Sequence, residues 1–428
     1  MFLPLRETKT TNRRSPFMPP STSRTGATKV LVLTDFYPIG LQETFITPEL
    51  ETLSSLVDHV TIVPTNLESL VEKGIRSVPT NVTILSDVWE NAREKWQSMS
   101  RISKLLLSKS FIRSCWREKR KFSTPFQTTL GESAYAMHVS QEIERSIDLH
   151  EYEAISSFWL NRPAFIGAIL KKKYPHLRFL SRAHRGDIIP KIGSKTIPFQ
   201  PFLMDYVDEV HVVSQDGVNT LQSIHPKASE RIVVGRMGVM NQKQNYHRSN
   251  DGKLRIISMS RVVDVKRVNL IAESLSFVSR EIHWTHFGTG PGMRELEEKT
   301  TSLPSNVEVS LPGFVESHDT IHSALQSQPW DILLNVSTSE GVPAAIQECF
   351  SYGIPALVTE VGGNPEIVDF TCGHLLPSNP TPEEIATILE EWNIDNEQMR
   401  TSALNRQREM FDIQKNAQQY VKSLLKNN

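Results

Sequence analysis

Apolar residues along this chain fall into short runs of strand length, parted by longer stretches in which apolar positions recur at helical spacing. The first run is Lys29-Val-Leu-Val-Leu-Thr34, followed by a turn around Asp35 to Gly40. Similar runs lie at His59 to Val63, Val82 to Leu85, Ala154 to Ser157, Arg178 to Ser181 and Glu209 to Val213. This alternation predicts βαβ units and a parallel, doubly wound sheet. From Asn241 to Gly252 the chain is polar and nearly free of core residues, which is the composition of a linker. The rhythm restarts with Leu254 to Met259, His283 to Phe287, Val307 to Ser310, Ile332 to Val336 and Ala356 to Val358, and a helical tail runs from Glu383 to Leu425. The expected fold class is α/β, with two Rossmann-like doubly wound domains facing a cleft. The boundaries read 1–28 for a disordered leader, 29–240 for the first domain, 241–252 for the linker, 253–405 for the second domain and 406–428 for a C-terminal helix able to reach back to the first.

Length agrees, because 428 residues are too many for one ordinary core and suit two domains of roughly 150 to 200 residues. A hydrophobic content of 39%, a charged content of 22% and a net charge of −1 describe a globular enzyme and give no reason to expect a nucleic-acid partner. Cys115, Cys349 and Cys372 are too widely spaced for a disulfide framework or a paired metal motif, and read as reduced thiols. No apolar run approaches the roughly eighteen residues of a membrane span, and residues 1–27 lack the apolar block of a secretory signal, so a cytoplasmic protein is expected. The Ser/Thr/Pro-rich leader carries Arg6, Lys9, Arg13, Arg14 and Arg24 against only Glu7; this suits a disordered tail, with an organelle transit peptide as the other reading.

Candidate chemistry sits in loops that follow strands. In Ser339-Glu-Gly-Val-Pro-Ala-Ala-Ile-Gln-Glu348, Glu340 precedes an expected helix and Glu348 lies two turns further on, so both carboxylates can face one side. Backbone N–H groups of Ala344 and Ala345 at the helix start would meet an anion. For two isolated glutamates, a solvated helix start with capping acids is the commoner explanation. Arg261 and Lys266, past the strand at Leu254 to Met259, offer two fixed positive charges, which matter if a diphosphate leaves, since no D-x-D pair is present to hold a metal against it. Taken alone they read as surface charge. Gly288-Thr-Gly290-Pro-Gly292 would let a nucleotide approach the backbone, and Val361-Gly362-Gly363-Asn-Pro-Glu366 is a second glycine turn; tight turning explains either by itself. Four such loops in one domain, each just after a strand, should converge on one edge of the sheet.

In order and spacing, Ser260-Arg261 to Lys266, Gly288-Thr-Gly290, Glu340-x7-Glu348 with Tyr352-Gly-Ile-Pro355, and Val361 to Glu366 resemble glycosyltransferase family 4. In the first half, Gln42-Glu43-Thr44-Phe45-Ile46, Ser181-Arg-Ala-His184-Arg-Gly-Asp187 and Val213-Ser-Gln-Asp-Gly217 resemble its branch that builds bacterial exopolysaccharides and lipopolysaccharides, so the likeness runs from about Lys29 to Leu376. The resemblance implies a GT-B fold and a retaining, metal-independent, cofactor-free transfer of sugar from a nucleotide diphosphate to a glycan or lipid-linked acceptor. It also implies that the donor lies on the second domain and the acceptor enters from the first. Arg261 and Lys266 would then hold the diphosphate, Glu340 the donor sugar and Glu348 the ribose, while His184 reaches sugar and phosphate from the opposite side. Gly40, Gly288, Gly290, Gly362, Gly363, Ala344 and Ala345 would be the backbone contacts to substrate. Two departures stand out. Pro38-Ile-Gly40-Leu41 lacks paired glycines, and Arg267 replaces the glycine that commonly follows the lysine, which is expected to narrow the pocket or add charge to it. The basic stretch 101–121, interleaved with Leu105, Phe111 and Trp116, resembles a membrane-surface helix, suiting a peripheral enzyme on the inner face of the membrane; an ordinary amphipathic helix packed on the first domain fits as well. A nucleotide-sugar epimerase or phosphorylase, and a non-catalytic nucleotide-sugar or glycan-binding protein, remain as alternatives on the same fold.

Overall fold

A computed structural model of the protein describes residues 27–40, 43–66, 74–86, 88, 126–189, 199–242, 251–314 and 318–426. The basic stretch 101–121, Cys115, Gln42 and the middle of the linker lie outside these residues. The first sheet contains β1 (Lys29–Thr34), β2 (His59–Pro64), β3 (Val82–Ile84), β4 (Ala154–Ser157), β5 (Arg178–Ala183), β6 (Glu209–Val212) and β7 (Ile232–Val234), in the order β3-β2-β1-β4-β5-β6-β7. The second contains β8 (Leu254–Met259), β9 (Ile282–Phe287), β10 (Val307–Gly313), β11 (Ile332–Asn335), β12 (Ala356–Thr359) and β13 (Gly373–Leu376), in the order β10-β9-β8-β11-β12-β13. All pairings within both sheets are parallel. The α/β class with two doubly wound domains is therefore what the chain forms. β7 and β13, each at a sheet edge, are strands that the apolar pattern does not announce.

Each sheet is covered on both faces, so alternate residues of one strand enter different cores. In β1, Leu31 and Leu33 pack with Ala136, Val139 and Ile166, while Val30 and Val32 pack with Leu50, Leu53, Tyr420 and Leu424. In the second domain Leu254 and Ile256 join Val268, Ile271 and Leu389, and Ile257 joins Leu333, Ile346, Phe350 and Phe411 on the other face.

The chain passes between the domains twice, and the two passages are paired. Val239 donates its N–H to the Phe411 carbonyl at 3.0 Å, and Ile413 donates to the Val239 carbonyl at 3.4 Å. A Cβ on Gly238 would stand 2.1 Å from the Phe411 carbonyl oxygen, so the two backbones can touch only because that residue is glycine. The return falls at Phe411 and Asp412, later than residue 405, because the helix Glu397–Met410 buries Arg400, Ala403, Leu404 and Gln407 in the second domain. The last helix, Ile413–Leu424, starts with the Asp412 side chain accepting the Lys415 N–H at 3.1 Å and lies on the helix Thr47–Leu56, β4 and β5. Beneath it Arg182, fully buried, donates to both oxygens of Glu49 at 3.0 and 2.5 Å and to the Gly235 carbonyl at 2.6 Å. The Tyr420 ring covers this guanidinium at 4.1 Å, and its hydroxyl shares a 2.7 Å hydrogen bond with Ser156.

Candidate active site

The strand order of each sheet reverses where the chain returns to the middle, between β1 and β4 in the first and between β8 and β11 in the second. Loops leaving the carboxyl ends of those strands diverge and open a crevice. The first domain places there the segments after β1, β4 and β5, and the second the segments after β8, β9, β11 and β12. The two crevices meet through specific contacts. Glu366 of the second domain accepts the backbone N–H groups of Gln215 and Asp216, at 2.8 Å each, and the Arg236 guanidinium at 2.8 Å. Those two N–H groups begin the helix Gln215–Ile224, where unpaired donors and the helix dipole favour a negative charge. Arg185 of the first domain donates to the Ser339 hydroxyl at 2.5 Å and to Asp216 at 3.1 Å.

Between the domains lies a cavity of about 350 Å³, walled by Phe45, Trp159, His184 and Arg185 on one side and by Gly341, Val342, Ala344, Gln347 and Glu348 on the other. His184 follows β5 directly. Its backbone N–H donates to the buried Asp187 carboxylate at 3.0 Å, and its ring packs on Trp159 with centroids 4.5 Å apart. Burial, and then Arg182, pushes the imidazole down to about 4, so it is neutral at pH 7. The ring bonds the Phe158 backbone, whereas Nε2 is shielded from solvent and has no partner among the described residues. With the other ring nitrogen donating to a backbone oxygen, a neutral imidazole presents Nε2 as an acceptor, which suits a hydroxyl on a ligand. Two carboxyls nearby are held close to neutrality. Burial, then Glu43, raises Asp35 to about 7, and burial raises Asp187 to about 7 against the hydrogen bonds it receives.

Of the residues expected at the site, His184, Ala344 and Glu348 share the cavity wall, and Ala345 is the next residue of the same first turn in the helix Ala344–Ser351. Lys266 and Glu340 are brought together but bind each other at 2.6 Å, and Glu340, buried, also accepts from Asn335 at 3.2 Å. Arg261 is exposed in the loop after β8. Neither Arg261, Lys266 nor Glu340 lines the cavity. Gly40 turns at φ 69° and donates to the Gly74 carbonyl at 3.1 Å, away from the cavity wall.

The glycines have a packing role, and the expectation for Arg267 is corrected. The space beside the glycines is taken by protein backbone: a Cβ would meet the Ser260 oxygen at 1.8 Å from Gly288, the Val262 oxygen at 2.3 Å from Gly290, the Glu340 oxygen at 1.9 Å from Gly362 and the Gly341 oxygen at 2.2 Å from Gly363. Their smallness is required to pack one loop on the next. Arg267 neither narrows the cavity nor charges it. It adopts the left-handed conformation that favours glycine, at φ 48°, and its guanidinium turns to the Val336 carbonyl at 2.6 Å, the Ser378 carbonyl at 3.0 Å and the Asn379 side chain at 2.9 Å. Sequence reasoning passed over Trp159 and the cross-domain role of Glu366. Both follow strand carboxyl ends, the position that drew notice to the other loops.

Two Rossmann-like domains with a cleft between their strand ends define the GT-B architecture. The fold is similar to Anabaena HepE in complex with UDP, with a TM-score of 0.62 at 17% identity over 93% of this chain and 99% of that one. It is also similar to the lipopolysaccharide outer core galactosyltransferase WaaB, with a TM-score of 0.61 at 15% identity over 92% and 99%. Residues 239–410 match the glycosyl transferases group 1 family, so the second domain is similar to the members of that family. WcaL of Salmonella typhimurium, a glycosyltransferase ascribed to colanic acid biosynthesis, is 28% identical over 191 residues, 42% of this chain and 46% of WcaL. The amylovoran biosynthesis glycosyltransferase AmsK of Erwinia amylovora is 26% identical over 172 residues, 38% and 42% of the two chains. The chain thus matches less than half the length of these curated relatives.

Proposed function

We propose that the protein is a retaining, metal-independent glycosyltransferase that moves a sugar from a nucleotide diphosphate to a glycan or lipid-linked glycan acceptor in surface polysaccharide biosynthesis. The observation that carries this reading is the cavity at the facing strand ends. There His184 from the first domain shares the cavity wall with Glu348 and the start of the helix Ala344–Ser351 from the second, and residues 239–410 match the glycosyl transferases group 1 family. Glu348 suits the two ribose hydroxyls, because a carboxylate accepts two hydrogen bonds in one plane. The N–H groups of Ala344 and Ala345 suit a phosphate oxygen. His184 accepts from a hydroxyl of the transferred sugar. Lys266 reaches the diphosphate by sharing itself with Glu340 or leaving it, with Arg261 as the second charge, and Glu340 then takes a sugar hydroxyl.

In this mechanism the acceptor attacks on the face that the phosphate leaves, and the departing phosphate oxygen takes the acceptor proton. The protein supplies orientation and charge stabilisation and forms no covalent intermediate. Among the described residues no three or more His, Cys, Asp or Glu side chains are grouped to hold a metal ion, and no helix is long and apolar enough to cross a membrane. We place the enzyme in the cytoplasm, working on acceptors at the inner face of the membrane. The test is a thermal-shift screen of UDP- and GDP-sugars with a chelator present, UDP-sugars first. A ligand at about a hundred times its Kd stabilises the folded state by about 2.7 kcal/mol. A shift with one donor, followed by release of nucleoside diphosphate and a lengthened acceptor, is expected. Folded protein that shifts with no donor, or a product still linked to its nucleotide, overturns the reading.

A further inference from the structure

The segment from Glu43 to Ile46 has a role that the cavity wall alone does not explain. Glu43 is 8% exposed, does not line the cavity, and adopts φ 57°, a left-handed conformation unfavourable for any residue with a Cβ. Its carboxylate meets donors from two loops at the reversal point of the first sheet. Oε2 accepts the backbone N–H groups of Phe36 at 2.6 Å and Tyr37 at 2.5 Å, while Oε1 accepts the indole N–H of Trp159 and lies 3.4 Å from the Asp35 nitrogen. The indole so held lies against His184, at 4.5 Å between centroids. Phe45, two residues beyond Glu43, closes the set at 5.9 Å from Trp159 and 5.8 Å from His184. A histidine with one buried ring nitrogen that has no partner among the described residues depends on its other contacts for its orientation. Those are the Phe158 backbone, the Trp159 face and the Phe45 ring.

We propose that Glu43 is a positioning residue, which acts through the indole N–H of Trp159 to hold the His184 ring in place at the cavity wall. The proposal rests on His184 being a ligand-binding group. The competing explanation is that Glu43 only ties down the backbone of 35–37, in which case its loss costs stability and leaves the imidazole undisturbed.

The experiment follows the His184 ring by NMR in histidine-labelled full-length protein, in the parent, Trp159→Phe, Glu43→Gln and the double variant. Trp159→Phe keeps a smaller aromatic face and removes the N–H with part of the indole, so comparison with Glu43→Gln, which leaves the indole intact, separates the lost link from lost packing. Arg182 and Arg185 are unchanged, and so is Asp187, so the charges acting on the ring stay as they are. In the parent the expected result is a ring pushed down to about 4 by burial, with one neutral tautomer dominant. In Trp159→Phe the midpoint moves up towards the ordinary value of about 6.5 and the tautomer signals average, as the ring gains solvent and freedom. Glu43→Gln shows a shift of the same sign, and the double variant shifts no further than the larger single one, because both changes break one link. An unchanged His184 midpoint and tautomer in folded Trp159→Phe overturns the proposal, and so do single shifts that add in the double variant. If Glu43→Gln does not fold, Glu43→Asp, whose shorter carboxylate leaves the indole intact but reaches less far towards it, takes its place. Turnover separates this inference from the functional one: with a nucleotide sugar that binds, Trp159→Phe lowers kcat by between about tenfold and a hundredfold at similar KM. A parent that binds no nucleotide sugar removes the transferase reading and leaves the NMR result to stand.

Discussion

Replacing Arg182 with Met tests how the last helix is held. The guanidinium is fully buried, and the Glu49 carboxylate that it neutralises is only 2% exposed. Methionine refills most of the volume under the Tyr420 ring but leaves Glu49 ionised in a site that water barely reaches. Removing one partner of a buried pair in this way costs about 3–5 kcal/mol, mostly through the charge left behind. The lost cation–π contact at 4.1 Å adds a part of about 1–2 kcal/mol that overlaps with it. Against a typical total of about 5–15 kcal/mol this is a large fraction, and about 2–4 °C per kcal/mol puts the fall in melting temperature near ~10 °C. Urea unfolding followed by tryptophan fluorescence reads the loss. The double variant Arg182→Met with Glu49→Leu should recover most of it, since an apolar pair of similar volume often replaces a buried ion pair without penalty. A single variant that loses less than about 1 kcal/mol, or a double variant no better than the single one, refutes the reasoning.

Three further changes probe the second domain. Gly288→Ala puts a methyl 1.8 Å from the Ser260 oxygen and should destabilise by about 1–3 kcal/mol; an unchanged melting temperature would mean that the loops move apart freely. Glu348→Ala should raise the donor KM or Kd by more than about tenfold while the folded protein keeps its melting temperature within a few degrees, checked by titration with the donor found in the screen; unaltered donor binding removes Glu348 from the site. His286, buried with Nδ1 2.8 Å from the Ser258 hydroxyl, is pushed by burial down to about 4, whereas an unfolded chain protonates it near 6.5. Its contribution is fully present above pH 6.5 and lost as pH falls through 4, so the parent should lose up to about 3 kcal/mol relative to His286→Gln over that window. Urea curves at pH 7 and pH 4.5 showing the same gap between the two proteins would contradict this.

The fold was legible where burial on both faces leaves its mark. β1 and β12 are buried at nearly every position, so Val30 to Leu33 and Ala356 to Val358 stand out as unbroken apolar runs. β7 and β13 are three- and four-residue edge strands with half-exposed or exposed residues, and nothing in Ile232-Val-Val or Gly373-His-Leu-Leu marks them as strands without a neighbour to pair with. At the site, the rule that ligands gather at strand carboxyl ends located the His184 and Glu348 loops, and it applied equally to Trp159, a single aromatic in a short connection. The Lys266–Glu340 contact joins residues 74 positions apart and depends on how two loops settle, which spacing does not encode. A glycine in a sequence shows that something comes close. It does not show whether that is a ligand or, as at Gly288 and Gly362, the protein's own carbonyl.

The closing helix also sets when the protein can become complete during synthesis. The core of the first sheet on the Val30 and Val32 face includes Tyr420, Val421 and Leu424, residues made after the second domain. Domains of multidomain chains generally fold as units, N-terminal first, as they leave the ribosome. Here the first domain lacks the helix Ile413–Leu424 until that segment emerges, so the side of the Val30 and Leu50 cluster that it packs on stays uncovered while the whole second domain is being translated. The nascent first half is the stage at which this chain is open to aggregation or to chaperones, and a stop codon placed before Ile413 would prolong that stage indefinitely even though every residue of the second sheet is present.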